Sequence, residues 1–307
     1  MVGIVIVNYN TYSDLVQCIE SIYQYIKCEY RIYVVDNGSD ENIKSKVADY
    51  CKGRNEISLT SLVQNVGYSR GNNIGIKKAI QDNVNLIAIV NSDIKFENDA
   101  ISIMCEDLDS EIAVVGPRVK NIFDNNGQQL ITTYNFLSAL LDRMPFFYLK
   151  KAFEIGLIDA DRYQESGHKY YGMVSGCCFL IDLSVFIQIG LFDENVFLYS
   201  EERILSIKLK AIKKKVFYEP NALVLHSEGK TTEKLGNPFA DYHRYISDYY
   251  TVKRYCGISK LKLLILRYIR LLNFKIKVIM DKNYKEYYTK LKKKMTEIDN
   301  DKYEIGR

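Results

Sequence analysis

Along the first 120 positions, short runs of aliphatic and β-branched residues alternate with segments whose apolar residues recur every three or four places. The runs Val2–Asn8, Tyr30–Asp36, Ile57–Val63, Leu86–Asn91 and Ile112–Val119 read as buried strands. Ser13 is placed to cap a helix whose apolar face is Leu15, Val16, Ile19, Ile22, Tyr23 and Ile26. Further helices are predicted over Asp40–Tyr50, Ser69–Gln81 and Asp99–Leu108. Such alternation predicts an α/β fold, with a mostly parallel central sheet, right-handed crossovers and helices on both faces. Ligands of these sheets bind beyond the carboxyl ends of the strands. Here those ends carry Asn8-Tyr9-Asn10, Asp36-Asn37-Gly38, Asn65-Val66-Gly67 and Asn91-Ser92-Asp93. Four polar clusters are therefore predicted to converge on one sheet edge.

The pattern changes after position 120. Asn121–Gly167 is irregular and reads as an insertion or second-substrate region. Met173–Asp182 returns to strand character, Glu201–Lys214 reads as a helix, and Val216–Tyr218 and Ala222–His226 as short strands around Pro220. From Tyr242 onward the chain is helical. Over Ile258–Met280 one stripe holds Leu261, Ile265, Tyr268, Ile269, Leu272, Ile276 and Ile279. Lys260, Lys262, Arg267, Arg270, Lys275 and Lys277 fill the rest of the circumference, with no acid among them. A basic amphipathic helix suits a membrane surface. It equally suits packing on the rest of the chain or a homodimer interface.

Composition narrows the classes. With 307 residues, 47% hydrophobic and 26% charged, the chain can bury a sizeable core and is neither disordered nor collagen-like. No uninterrupted apolar run reaches the length of a membrane span, and no basic leader opens the chain. The expectation is a cytoplasmic protein, peripheral at the inner face of the membrane if the basic helix meets lipid. Seven cysteines without a CxxC pair argue against a disulfide framework or zinc ribbon. The net charge of +4 divides into +8 over residues 258–307 and −4 over the remainder. Basic charge confined to a tail, with few aromatics interleaved, does not suit nucleic acid.

Neither GxGxxG nor GxxxxGK[ST] follows a strand, which disfavours dinucleotide and P-loop sites. What is left at the sheet edge is acids and amides. Asp36 and Asn8 can hydrogen-bond a base or ribose. Asp93 can hold a divalent ion, Mg²⁺ or Mn²⁺, against a diphosphate, because hard cations prefer oxygen ligands.

The order Val7–Asn10 (VNYN), Val35–Glu41 (VDNGSDE), Asn65–Ile76 (NVGYSRGNNIGI) and Val90–Asp93 (VNSD) resembles glycosyltransferase family 2, of the GT-A fold. Val174–Asp182 (VSGCCFLID), Phe192–Glu202 (FDENVFLYSEE) and His226–Thr231 (HSEGKT) continue the pattern, so the resemblance covers roughly residues 1–232. Within the family it is closest to the rhamnosyltransferase-like branch that builds bacterial capsule, O-antigen or exopolysaccharide. The resemblance implies a catalytic domain over 1–238, divided into a nucleotide-binding half (1–119) and an acceptor-binding half (120–238), and a helical basic extension over 239–307. It implies an inverting, metal-dependent transfer of a sugar from a nucleoside-diphosphate sugar (UDP, dTDP or GDP) to a hydroxyl of a glycan or lipid-linked acceptor.

Roles follow by position. Asp36 would bind the base, with Asn8, Tyr9 and Asn10 near base and ribose. Asn37, Asp40, Asn65, Gly67 and Arg70 would line the nucleotide site. Asn91 and Ser92 would also line the nucleotide site, within the family's acidic metal motif that ends in Asp93, the ligand, with His226 beside it as a second metal residue. Glu201 and Glu202 match the pair containing the catalytic base, Glu202 being the first choice. Two positions depart from the branch's Glu-Asp-x-Asp-Leu: Glu202 replaces an Asp, and Ile204 removes an acid. These departures leave a second reading, an inactive nucleotide-sugar- or glycan-binding scaffold of a polysaccharide assembly complex.

Overall fold

The structure is a computed structural model that describes residues 1–121, 129–131, 139–140, 157–159, 172–227 and 237–301. Most of the irregular 121–167 segment, expected to select the acceptor, lies outside the described residues. The first four strands are β1 (Val2–Asn8), β2 (Tyr30–Asp36), β3 (Ile57–Ser61) and β4 (Leu86–Asn91). Three sequence-expected helices connect them: α1 (Tyr12–Tyr25), α2 (Glu41–Cys51) and α3 (Tyr68–Gln81). Then come β5 (Ile94–Phe96), α4 (Ala100–Glu106) and β6 (Ile112–Asn121). A separate antiparallel pair, β7 (Gln129–Ile131) and β8 (Leu157–Asp159), precedes β9 (Cys178–Asp182) and α5 (Leu183–Gln188). After α6 (Glu201–Ala211) and β10 (Lys215–His226), the chain ends in α7 (Pro238–Tyr255), α8 (Lys260–Met280) and α9 (Tyr284–Asn300).

The main sheet has eight strands in the order β3-β2-β1-β4-β9-β6-β10-β5. Four of its seven neighbouring pairs are parallel. β9 runs antiparallel to β4 and β6, and β5 antiparallel to β10. The sheet is thus mixed, because β9 inserts between two parallel blocks. Three residues are too few for β5 to show a period, so it escapes sequence reading. The two strands expected around Pro220 are one strand, whose register shifts between Glu219 and Leu223. Proline cannot donate to the ladder, and the irregularity absorbs it. Ser13 is not the α1 cap: the cap position belongs to Thr11, whose hydroxyl bonds Asn8 and Ser92.

Strand alternation builds a core on each face of the sheet. Ile4, Ile6, Ile32, Val34, Ala88 and Val90 pack on α1 and its neighbours, while Val5, Tyr33, Ile87 and Ile89 pack on α3, α5 and α6. A third cluster joins Tyr245, Tyr249, Leu266, Phe274, Tyr284 and Leu291 of the last three helices to Val196 and Ile204. Ile204 is 2% exposed. The position where the family pattern has an acid therefore faces an apolar core, which explains the substitution.

One ionic network fastens these helices to α6. Asp248 of α7 accepts from Arg203 of α6 at 2.9 Å and from Arg270 of α8. Burial raises the Asp248 carboxyl above its usual range, an effect that Arg270 offsets only in part. Arg270, one of the basic residues that fill the circumference beside the apolar stripe, is fully buried. Arg267 and Lys277 are also drawn inward, to Asp299 and Asp241. Removing one partner of a buried pair strands the other charge. Asp248→Ala is expected to lower unfolding stability by about 3–5 kcal/mol in urea denaturation. A loss well under about 1 kcal/mol would show that the network does not hold the helices.

Candidate functional site

In-register pairing gathers the strand ends. Asn8 aligns with Asp36, Asp36 with Ser61, and Val7 with Asn91. Asp36 is fully buried. Its Oδ2 accepts from Asn8 Nδ2 at 2.8 Å, and its Oδ1 from the Ser39 backbone N–H at 3.0 Å. Asn8 Oδ1 accepts the Thr11 hydroxyl at 2.9 Å, and Thr11 Oγ1 lies 2.9 Å from Ser92 Oγ. Asn10, at φ 58°, donates its N–H to Ser39 Oγ at 2.9 Å and accepts the Asp40 N–H at 2.9 Å. Asn37 donates to Asn65 Oδ1 and the Gly67 carbonyl at 3.1 and 3.2 Å, and accepts the Val66 N–H at 3.0 Å. The four polar clusters thus meet on one edge, joined by side-chain hydrogen bonds.

This lattice sorts the expected residues. Asn8, Asp36 and Asn37 are buried and their polar atoms engaged, so they form a floor. Tyr9, Asn10 and Asp40 are exposed, and Asn65 is half-buried above that floor. Asp36 is fully buried with a donor on each carboxylate oxygen, as a buried carboxylate requires. Arg70 points elsewhere: its Nε donates to the Glu194 carbonyl at 3.2 Å and pairs with that carboxylate at 3.8 Å. Thr11 and Ser39 belong to the lattice and were not singled out from sequence. Their signal was their place inside the NYNT and DNGSD runs.

Asp93 and His226 are brought together by the short antiparallel pairing of β5 with β10. His226 faces Ile94 in register, and the Ser227 N–H bonds the Asp93 carbonyl at 3.1 Å. His226 Nε2 lies 3.2 Å from Asp93 Oδ1. A carboxylate oxygen beside an imidazole nitrogen suits a divalent cation that completes its shell with phosphate oxygens and water. Asn91 Oδ1, two residues away, is buried without a hydrogen-bond partner. Among the described residues, no third His, Cys, Asp or Glu joins the pair in a metal-binding group.

Glu201 and Glu202 open α6, directly after Tyr199 and Ser200 at φ 70° and 73°. Two successive non-glycine residues in the left-handed region are strained, a feature that clusters at functional sites. Glu201 is buried, its Oε1 has no hydrogen-bond partner, and burial together with repulsion from Glu202 pushes its carboxyl up to about 8. Glu202 is half-buried and flanks Gly176: a methyl group placed on Gly176 would lie 3.5 Å from Glu202 Oε2. The adjacent Cys177 carbonyl accepts the Asn91 N–H at 2.8 Å. One turn thus separates Glu202 from the strand end bearing Asn91.

Two contacts fix the halves of the edge to each other. Gly67 has φ +90°, and a Cβ there would stand 2.5 Å from the Phe197 carbonyl. The same carbonyl accepts the Tyr68 N–H at 2.7 Å, and the Tyr68 hydroxyl donates to the Gly176 carbonyl at 2.8 Å. Burial, then the charge of Glu201, holds the Tyr68 phenol well above its usual range, so it stays a donor.

Comparison with known proteins agrees with this architecture. The family model "Glycosyl transferase family 2" matches residues 3–190. The low-salt glycan biosynthesis hexosyltransferase Agl10 of Haloferax volcanii is 27% identical over 202 residues, 65% of this chain and 58% of that protein. The chain thus spans little more than half the length of that relative. Among solved structures, GalNAc-T7 with UDP, GalNAc and Mn²⁺ superposes with a TM-score of 0.59 at 16% identity, covering 88% of this chain and 54% of that one. The mannosyltransferase PcManGT of Pyrobaculum calidifontis, in complex with GDP-Man and Mn²⁺, gives 0.54 at 11%, covering 97% and 85%. At such identities the superpositions speak to the fold, a GT-A fold with added C-terminal helices. By its family match over most of the sheet, the chain belongs to glycosyl transferase family 2.

Proposed function

We propose that this chain is an inverting glycosyltransferase. It moves a sugar from a nucleoside-diphosphate donor (UDP, dTDP or GDP) to a hydroxyl of a glycan or lipid-linked acceptor in bacterial surface-polysaccharide synthesis. The observation that carries this reading is the pairing of Asp93 with His226 on the sheet edge, with the half-buried Glu202 across the Gly176 turn. Tyr9, Asn10, Asp40 and Asn65 offer the base and ribose exposed groups over the buried Asn8–Asp36–Asn37 floor. Asp93 and His226 would hold a divalent metal, with Asn91 Oδ1 as a further oxygen. Such an ion, when bound, stabilises negative charge on a departing diphosphate.

The remaining chemistry belongs to the two glutamates. An acceptor hydroxyl is a weak nucleophile at neutral pH, so a carboxylate must take its proton as the bond to the anomeric carbon forms and the bond to the diphosphate oxygen breaks. Two adjacent carboxyls resist double ionisation. Glu201, buried and with its carboxyl pushed up to about 8, is protonated at pH 7. Glu202 is the more exposed of the two, and it is the base. The scaffold reading draws on the Glu202 and Ile204 departures, and turnover decides between the two.

Glu202→Gln is expected to lower kcat by about 10²–10⁴-fold with nucleotide binding retained. Glu201→Gln, which keeps an uncharged side chain at that position, is expected to lower it far less. Release of free nucleoside diphosphate from UDP-, dTDP- and GDP-sugars, with and without glycan acceptors, measures both. Transfer that survives in both variants would remove the base assignment. A wild-type protein that binds nucleotide and never turns over would establish the scaffold. Stability supplies an independent check on Glu201. Its folded-state pKa lies above its usual value near 4.5, so the folded form binds the extra proton between those limits. Stability therefore falls as pH rises from about 4.5 to about 8, by up to roughly 4 kcal/mol. Glu201→Gln is expected to flatten that slope and to exceed the wild type in stability at pH 8, as measured by denaturant titration at several pH values. An unchanged slope would contradict the burial argument.

A further inference from the structure

The α8 helix separates its two faces sharply. Leu266, Arg270, Asn273 and Phe274 are buried against the other C-terminal helices. On the opposite side Leu261, Leu264, Tyr268 and Ile279 are 67%, 62%, 69% and 79% exposed, with Ile265 and Leu272 beside them. At ~100° per residue these positions centre on the direction opposite Arg270. The apolar stripe read from the sequence is therefore the outer face of the molecule, not its packed one. From Leu261 to Ile279 it runs about 27 Å at ~1.5 Å per residue. Among the described residues no helix is long and apolar enough to cross a membrane. A stripe of this kind lies along an interface.

Charge identifies the surface that covers it. No acid occurs between Ile258 and Met280. Lys260 and Lys262 are exposed on the two flanks of the stripe, and Lys275 within it. The inward basic residues Arg267, Arg270 and Lys277 are matched by Asp299, Asp248 and Asp241, whereas Lys260 and Lys275 add positive charge to the outer face. A second copy of this helix would bring the same basic flanks together, at a repulsive cost. An anionic bilayer offers the complementary charge and accepts the apolar side chains. Tyr268, near the middle of the stripe, has an aromatic body and a polar tip that suit the headgroup boundary.

We propose that the outer face of α8 docks the protein flat on an anionic phospholipid bilayer. This inference does not depend on which reaction the sheet edge performs. Because Arg270 reaches Asp248 from α8 and Arg203 reaches it from α6, docking holds the Glu201–Glu202 turn at a fixed height above the lipid.

Co-sedimentation of the full chain with vesicles tests it. Vesicles of phosphatidylcholine with about 30% phosphatidylglycerol are expected to bind on the order of a hundredfold more tightly than phosphatidylcholine alone, less so at high salt. Ile265→Glu with Leu272→Glu is expected to abolish binding while leaving the thermal midpoint and nucleotide affinity unchanged. Lys260→Gln with Lys275→Gln is expected to remove most of the preference for anionic lipid. Wild-type protein that ignores anionic vesicles would overturn the proposal. So would equal binding to both vesicle types, or retention of binding by the double Glu variant. A dimer in analytical ultracentrifugation that the double Glu variant dissociates, without vesicle binding by the wild type, would assign the stripe to a second copy instead.

Discussion

A carboxylate without solvent, Asp36 at the end of β2, sets the terms for the whole sheet edge. Burying a charged group is costly unless donors surround it. Asn8 from β1 and the Ser39 N–H from the turn supply them. Once those two are committed, Thr11, Ser39 and Asn10 have fixed partners, and the loops after β1 and β2 hold one conformation. Asn37 does the same for the loop after β3 through Asn65, Val66 and Gly67. This floor is held by the chain's own hydrogen bonds, and a ligand docking over it would not have to supply the ordering free energy of these loops.

The second half of the edge is held by close backbone approach and by ions. Gly67 lets the Phe197 carbonyl come within reach of the Tyr68 N–H, and Tyr68 hands the constraint to Gly176. Asp193 works from behind. Burial pushes its carboxyl up, but hydrogen bonds from Tyr255, Asn195 and Tyr250 outweigh burial and hold it below its usual range. Phe192–Asn195, part of the motif that suggested the family, is thus an anchor for the segment leading to Glu201. The strained Tyr199–Ser200 backbone persists because both ends of that segment are fixed: Leu198 accepts from Ser247 of α7, and Arg203 is locked to Asp248.

What the sequence disclosed follows from how local each signal is. Strands β1, β2 and β4 match their expected residues, since dense β-branched runs bounded by Asp, Asn and Gly admit few other readings. The convergence of the four polar clusters followed from topology alone. The antiparallel β9 and the three-residue β5 did not, because strand direction is decided by tertiary packing and leaves no mark in a short apolar run. Yet it is β5 that brings Asp93 to His226. Likewise the pattern placed Asp36 at a strand end but not under the surface, which the Asn8 and Ser39 contacts reveal. The tail helix was legible as a stripe. Which face turns outward depended on Asp248, Asp241 and Asp299, residues that lie 22 to 36 positions from the cations they pair and on other helices in all three cases.

On the proposed reading, the edge bearing Asp93 and His226 binds a nucleoside diphosphate together with a divalent cation. Calorimetric titration with UDP, dTDP and GDP, each with Mn²⁺, with Mg²⁺ and with chelator, tests this. The expected result is binding of one nucleotide that requires the metal and disappears in Asp93→Ala while the fold is kept. Binding of none of the three, or binding indifferent both to chelator and to Asp93→Ala, would contradict it.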